Sequence, residues 1–262
     1  MRILVSVEND DKLENLKNKV CALVSSLNSE EVYIDILHVH EEASFRHKGG
    51  KDEVVDEILQ DEFKSKLKLV AKCEDSIESF LRDKLQLTTL VNSYVLKGEY
   101  RKRLHDHIIF QRYDLLILNP SKKSTYEVIL QGRNTHWIID NLEIPVLILP
   151  SYLDYQFNGS SDLTCFVDNK HSFNSVKNSQ VISLFKPEII QYIFFGKKSF
   201  HDEVKCIHSS DPLASIADYT KNEEHLNIYT LHHKNKGDFL NYIDRSFTKH
   251  IIKSLANPLL IF

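Results

Sequence analysis

The chain has 262 residues, and its 33 lysines and arginines against 37 aspartates and glutamates give a formal net charge of −4. This near-balance gives no electrostatic reason to expect nucleic acid or an anionic membrane as a partner. Glycine is scarce, with only 7 residues, so there is little material for a glycine-rich loop that cradles phosphate. The length favours two domains over one.

Strand-like and helix-like segments alternate through the first half. Residues 3–7 form a short apolar run, typical of a strand covered on both faces, and residues 10–26 carry apolar side chains at helical spacing. The same alternation continues with a strand at 32–39, a long charged helix at 52–85, a strand at 89–96, a helix at 99–112, a strand at 113–118, a helix at 126–142 and a strand at 145–149. It predicts right-handed crossovers and a parallel sheet with helices on both faces.

The second half repeats this order after a break at 151–161, which we interpret as a linker. The predicted elements are a strand at 163–167, a helix at 172–185, strands at 189–195 and 204–208, a helix at 212–221, a strand at 226–231, a helix at 239–255 and a strand at 259–262. The long second helix has no counterpart here. We therefore predict an internal duplication, with domain 1 at 1–150 and an abbreviated domain 2 at 162–262.

Several classes of protein are not expected from the sequence. No apolar run approaches the roughly 18 residues that a membrane-spanning helix needs. The first residues turn acidic too early for a secretory signal peptide, so we expect a cytoplasmic protein. Four widely separated cysteines form no CxxC pair, which argues against a zinc or disulfide framework: Cys21, Cys73, Cys165 and Cys206.

Short motifs at the strand ends support a family resemblance. They are ILVSVE at 3–8, LHV at 37–39, Lys97-Gly98, DLLILN at 114–119, Gly132 and IPVLIL at 144–149. Together with the order of the elements, they make the chain similar to the universal stress protein family in its tandem two-domain form. The resemblance implies an α/β fold with two flavodoxin-like (adenine nucleotide alpha hydrolase-like) domains. Each would have a five-stranded, mainly parallel sheet with helices on both faces.

The resemblance also implies where a nucleotide would bind. In that family an acidic residue follows the first strand. A loop of Gly, two residues, Gly, nine residues and Gly-Ser or Gly-Thr follows the fourth strand and holds the phosphates of ATP. On this sequence Glu8 takes the acidic position, Asn119 and Lys122 replace the first two glycines, Gly132 keeps the third, and Arg133 replaces Ser or Thr.

These departures predict degenerate nucleotide pockets. The candidate ligand-binding residues of the first domain are Val7, Glu8, Val39, Asn119, Lys122, Gly132 and Arg133, and their second-domain counterparts are Asp168, His232 and Asn235. Side chains at 119 and 122 would crowd the path of a phosphate chain, and Pro120 removes one backbone donor. We therefore expect no cofactor; ATP bound through a non-standard loop is the alternative.

Neither a metal centre nor a catalytic set is expected. His38-x-His40 places two imidazoles on one face of a strand, but no second set of ligands accompanies them. No nucleophile stands in a recognisable setting such as G-x-S-x-G. The polar rim beyond the strands could still bind a different small ligand, a third possibility that stays open.

The closing segments of the two halves predict an interaction. IPVLIL at 144–149 and NPLLIF at 257–262 are short and strongly apolar, and such edges favour pairing. We expect them to pair within the chain across a pseudo-twofold axis, and a homodimer is a further possibility.

By analogy of fold, the favoured function is a non-enzymatic stress-response or signalling module that acts by protein contacts. The alternative is an ATP-binding universal stress protein with a non-standard phosphate loop, for which slow ATP hydrolysis is a further possibility.

Overall fold

The computed structural model describes residues 1–7, 13–40, 53–85, 88–119, 133–149, 161–167, 170–195, 201–207, 226–231 and 258–262. The elements of the first half are β1 Arg2–Val7, α1 Leu13–Ser25, β2 Glu31–His40, α2 Glu53–Phe80, β3 Thr88–Lys97, α3 Tyr100–Gln111, β4 Leu115–Asn119, α4 Arg133–Asn141 and β5 Val146–Ile148. A π-helical turn, Leu81–Leu85, extends α2. This order agrees with the prediction.

The second half contributes five further strands. Its elements are β6 Ser161–Phe166, α5 Lys170–Lys177, a short 3-10 helix Ile182–Leu184, β7 Pro187–Phe195, β8 Val204–Ile207, β9 Leu226–Leu231 and β10 Leu259–Ile261. The predicted helices at 212–221 and 239–255 lie outside the described residues, as does the predicted linker apart from Ser161.

One helix is shorter than predicted. The apolar spacing over 172–185 predicts a single helix, but α5 ends at Lys177 and a separate 3-10 turn follows. The hydroxyl of Ser179 accepts a hydrogen bond from the backbone N–H of Val181 at 3.2 Å. Such local side-chain bonds compete with the helical ladder, and helical spacing alone does not detect them.

The ten strands in the described part of the chain form one sheet, in the order β3-β2-β1-β4-β5-β10-β9-β6-β7-β8. Neighbouring strands are parallel within each half, and β5 and β10 are antiparallel. The predicted α/β class is therefore confirmed. Each half has the strand order 3-2-1-4-5, so the second half repeats the topology of the first.

The repeat is incomplete on one face. In the first half α2, 28 residues long, connects β2 to β3. In the second half β7 ends at Phe195 and β8 begins at Val204, which leaves no room for a helix of that length.

Three residue pairs join the two halves of the sheet. Leu259 lies opposite Ile148, Leu260 opposite Leu147, and Ile261 opposite Val146. Leu147 and Leu260 are fully buried. Because antiparallel partners stand about 4.5–5.5 Å apart at Cβ, these leucines pack directly on each other.

A second backbone contact links the halves beside the sheet. The segment before β2 runs antiparallel to the segment before β7, with Leu27 opposite Phe185. The N–H of Asn28 donates to the carbonyl of Leu184, and the N–H of Lys186 donates to the carbonyl of Ser26, each at 2.7 Å. Two separate sets of backbone hydrogen bonds therefore hold the halves together.

Apolar cores cover both faces of the sheet, and each core contains residues from both halves. One lies under α1, α2 and α5, and its members include Val20, Ile36, Cys73, Leu147, Phe173 and Leu260. The other lies under α3 and α4, and its members include Leu37, Leu104, Ile138, Tyr229 and Ile261. The interior is thus continuous from one half to the other.

We expect Leu147 and Leu260 to be energetically coupled. Each single change to alanine should lower the free energy of unfolding by about 2–5 kcal/mol, because it leaves a buried cavity. The double variant should depart from additivity by about 0.5–3 kcal/mol, as expected for side chains in contact. Urea denaturation of the four proteins measures this coupling.

The control cycle pairs Leu260 with Leu4 of β1, which is also fully buried. Three strand spacings separate β1 from β10, roughly 14 Å, so these two changes should be additive. Equal coupling in both cycles would contradict a direct contact at the junction.

Candidate functional site

The order of the strands reverses between β1 and β4, and open α/β sheets bind ligands at such a point, beyond the carboxyl ends of the strands. Val7 at the end of β1 lies between His38 of β2 and Asn119 of β4 in the register. We call the edge formed by the ends of β1, β2 and β4 the switch-point edge.

The structure brings three of the predicted site residues to this edge. Val7 is buried in the core under α1, α2 and α5, and Val39 is buried in the core on the opposite face of the sheet. The side chain of Asn119 is partly exposed. Arg133 is the first residue of α4. The remaining candidates lie outside the described residues: Glu8, Lys122, Gly132, Asp168, His232 and Asn235.

A buried lysine, absent from the predicted site, reaches the switch-point edge. Lys19 of α1 is only 8% exposed, and its Nζ donates a hydrogen bond to Oδ1 of Asn119 at 3.2 Å. The sequence held a signal for it, because Lys19 follows Leu16 by three residues and precedes Leu23 by four, on the apolar stripe of the helix. A lysine at such a position carries its charge into the interior.

A histidine completes the backbone bonding at the end of β1. Nδ1 of His38 lies 2.9 Å from the carbonyl oxygen of Val7. A carbonyl only accepts, so Nδ1 carries the proton. The buried imidazole therefore hydrogen-bonds the backbone of the neighbouring strand, which accounts for a histidine near the end of an apolar strand.

His40, two residues further along β2, is 6% exposed and packs edge-on against Phe63 of α2, with ring centroids 5.9 Å apart. Its Nε2 has no hydrogen-bond partner among the described residues.

Nothing in the described ranges gathers three or more His, Cys, Asp or Glu side chains into a group that could hold a metal ion. Within the same residues, no helix combines the length and apolarity needed to cross a bilayer.

A second buried polar cluster surrounds Asp35 in the middle of β2. Asp35 is fully buried, and its Oδ2 accepts hydrogen bonds from Nη2 of Arg2 at 2.8 Å and from the hydroxyl of Tyr113 at 2.6 Å. Its Oδ1 accepts one from Nδ2 of Asn92 at 2.9 Å. The Tyr113 hydroxyl donates its proton to the hydrogen bond with Asp35. Nε2 of His107, 2.8 Å from the same hydroxyl, therefore donates a hydrogen bond to the hydroxyl oxygen.

The environment of His107 favours its neutral form. Burial lowers the pKa of His107, and the Arg2 guanidinium lowers it further, while the Asp35 carboxylate acts in the opposite direction. Burial also raises the pKa of Tyr113, and its hydrogen bond to Asp35 adds to this, so the phenol stays protonated. The cluster ties β1, β2, β3 and α3 together on the face opposite α2.

The sequence matches no known family model and no curated protein. Among solved structures, the fold is similar to that of a universal stress protein from Archaeoglobus fulgidus DSM 4304. The TM-score is 0.64, with 14% identity, covering 98% of this chain and 95% of that one. The chain has the universal stress protein fold. A provisionally assigned universal stress protein from Pseudomonas aeruginosa UCBPP-PA14 is also similar, with a TM-score of 0.56 and 10% identity over 100% and 92% of the two chains.

At sequence identities this low, the structural similarity establishes the fold alone and carries no information on activity. A protein of unknown function from Pseudomonas aeruginosa PAO1 matches at a TM-score of 0.57 and 10% identity, covering 100% of this chain and 92% of that one. All three alignments include both halves of the chain. The similarity of fold therefore extends over nearly the whole length of each of these solved structures.

We expect Asn119→Ala to destabilise the fold by about 1–2 kcal/mol, because the buried ammonium of Lys19 loses an acceptor. Asn141→Ala is the matched control: Asn141 is exposed and donates to the carbonyl of Trp137. Urea denaturation of the two variants measures the difference. An equal loss in both would show that the contact with Lys19 contributes nothing beyond an ordinary exposed hydrogen bond.

We expect stability to fall on acidification because of His107. Its pKa is lowered in the folded state, so below about pH 6.5 the unfolded chain binds more protons and folding weakens. His107→Gln should reduce the loss between pH 7.5 and 5.5, measured as the shift of the urea midpoint. The control is His105→Gln on the same helix, where the ring faces Trp137. A full acid loss in His107→Gln would contradict the assignment.

Proposed function

We propose that the protein is a non-enzymatic stress-response or signalling module that acts by protein contacts, and that its switch-point pockets have lost most of their nucleotide chemistry. The observation that carries the proposal is the bond between Lys19 and Asn119. Asn119 stands where the family pattern has a glycine, and its side chain is occupied by a lysine of the same chain. A phosphate chain approaching the backbone there would have to displace this pair.

The neighbouring strand end supports the same interpretation. The carbonyl of Val7 is already bonded to His38, so a ligand would compete with an internal hydrogen bond at that position too. Exchange of one satisfied bond for another contributes little free energy, since the net value of a typical hydrogen bond is only about 0.5–1.5 kcal/mol. The described part of the edge is therefore better suited to stabilising the sheet than to binding a nucleotide tightly.

The surface of α3 offers a place for protein contacts. Phe110 is 83% exposed and Ile109 59% exposed, next to each other near the end of the helix. Aromatic side chains are the frequent anchors of protein interfaces. We propose this pair as part of a partner-binding surface, and we propose a homodimer as a further assembly of the chain.

ATP binding is the second candidate, and one observation favours it. Lys19 carries an ammonium group into the interior beside the switch-point edge. A lysine can attract phosphate as a point charge, although it does not replace a set of converging backbone N–H groups. In this alternative the Asn119 contact opens and Lys19 turns to the phosphates.

We expect 1 mM ATP with magnesium to leave the melting temperature unchanged. A site with micromolar affinity would instead raise the free energy of unfolding by about 4 kcal/mol at a thousandfold excess over Kd. Thermal melting with and without nucleotide measures this. A clear shift would overturn the proposal that the pockets are degenerate.

If ATP does bind, Lys19→Met tests whether the Lys19 ammonium contributes to its affinity. We expect it to weaken ATP binding several-fold, whereas Lys64→Met should not. Lys64 is an exposed lysine of α2 that pairs with Asp61, and it serves as the matched control. Equal affinities in the two variants would exclude Lys19 from the site.

A further inference from the structure

A cavity of about 380 Å³ lies at one end of the junction between β5 and β10. Both halves of the chain line it, mostly with apolar side chains. The first half contributes Ile139, Leu142 and Ile144, and the second half contributes Val181, Ile261 and Phe262. This cavity is separate from the switch-point edge.

The short junction strands account for the cavity. Ile261 lies opposite Val146, and the pairing ends there. Beyond that pair the chain before β5 and the chain after β10 continue at Ile144 and Phe262, which both line the space. β5 and β10 have three residues each, against five in β4 and six in β9, so the sheet is narrowest at this point.

The size of the cavity limits the ligand to a small molecule. Its volume falls within the roughly 300–1,000 Å³ of small-molecule sites, which often lie between structural units. An apolar cavity of about 150 Å³ accepts benzene, so this one has room for a system of two or three rings. The lining favours an apolar body.

The charge at the wall limits the ligand further. Glu143 is exposed and lines the same cavity between Leu142 and Ile144. A carboxylate close to a bound molecule disfavours an anionic group by Coulomb repulsion. The matching ligand is therefore neutral or cationic.

We propose that this junction cavity is a second ligand site, for a neutral or cationic apolar molecule of two or three aromatic rings. Such a molecule contacts side chains of both halves at once. Its binding stabilises the junction, because a ligand that binds only the folded state raises the stability of that state. The inference is independent of the proposed function, since it uses no residue of the switch-point edge.

The test compares two fluorescent probes that share one ring system. N-phenyl-1-naphthylamine is neutral, and 8-anilinonaphthalene-1-sulfonate carries the same rings with an anionic sulfonate. Titration of the full chain should give saturable binding of the neutral probe, at least about fivefold tighter than that of the sulfonate. The neutral probe should also raise the melting temperature.

Two variants fill the cavity from opposite walls. Ile144→Phe acts from the first half and Val181→Phe from the second, and each should weaken the neutral probe by at least about tenfold. Leu67→Phe introduces a ring at an exposed position of α2 and should leave the affinity within about twofold. Equal binding in all of these proteins would overturn the proposal, as would no saturable binding to the wild-type chain.

Glu143→Gln tests the same site without altering the packing, because Glu143 is exposed. It should bring the sulfonate probe to within about twofold of the neutral one while leaving the neutral probe unchanged. If Ile144→Phe and Val181→Phe fail to fold, Glu143→Gln still tests whether the probes bind in this cavity. A preference between the probes that is the same in wild type and Glu143→Gln would place the binding elsewhere.

Discussion

The pairing of β5 with β10 is the constraint on which the rest of the structure depends. Among the described residues three pairs form it, and they turn two five-stranded units into a single sheet with continuous cores on both faces. Without this pairing, both strands would become exposed apolar edges, which invite association with other chains. The backbone bridge between Leu27 and Phe185 adds a second point of attachment beside the sheet. The short junction also creates the cavity at its end.

Two clusters of buried polar groups in the described part of the first half are bonded internally. At the switch-point edge, Lys19 and His38 bond to Asn119 and Val7. In the middle of the sheet, Arg2, Tyr113 and Asn92 bond to Asp35. Such groups are costly to bury unless they have partners, so each cluster specifies how its strands and helices meet. At the switch-point edge, the groups that already have partners, Lys19, Asn119 and His38, have less free energy to offer a ligand.

How far the sequence predicted the fold depends on the range of the interactions involved. The strands and helices of the first half follow from local periodicity, because an element that is buried on one face has apolar residues at regular spacing in the sequence. The predicted helix at 172–185 was wrong beyond Lys177, where the hydroxyl of Ser179 accepts a hydrogen bond from the backbone N–H of Val181. Of the candidate site, Val7, Val39 and Asn119 lie at or next to the ends of neighbouring parallel strands, β1, β2 and β4. The partner of Asn119 was missed, although Lys19 lies on an apolar stripe.

The sequence by itself determined the α/β class, the order of the elements in the described residues and the resemblance to universal stress proteins, because these depend on local patterns and short motifs. Only the tertiary structure decided the register of Leu260 on Leu147, the contact of Lys19 with Asn119 and the gathering of three donor side chains around Asp35. The physical reason is distance along the chain. No local pattern in a single sequence reports a contact between side chains some 80 to 110 residues apart, and only tertiary packing brings them together.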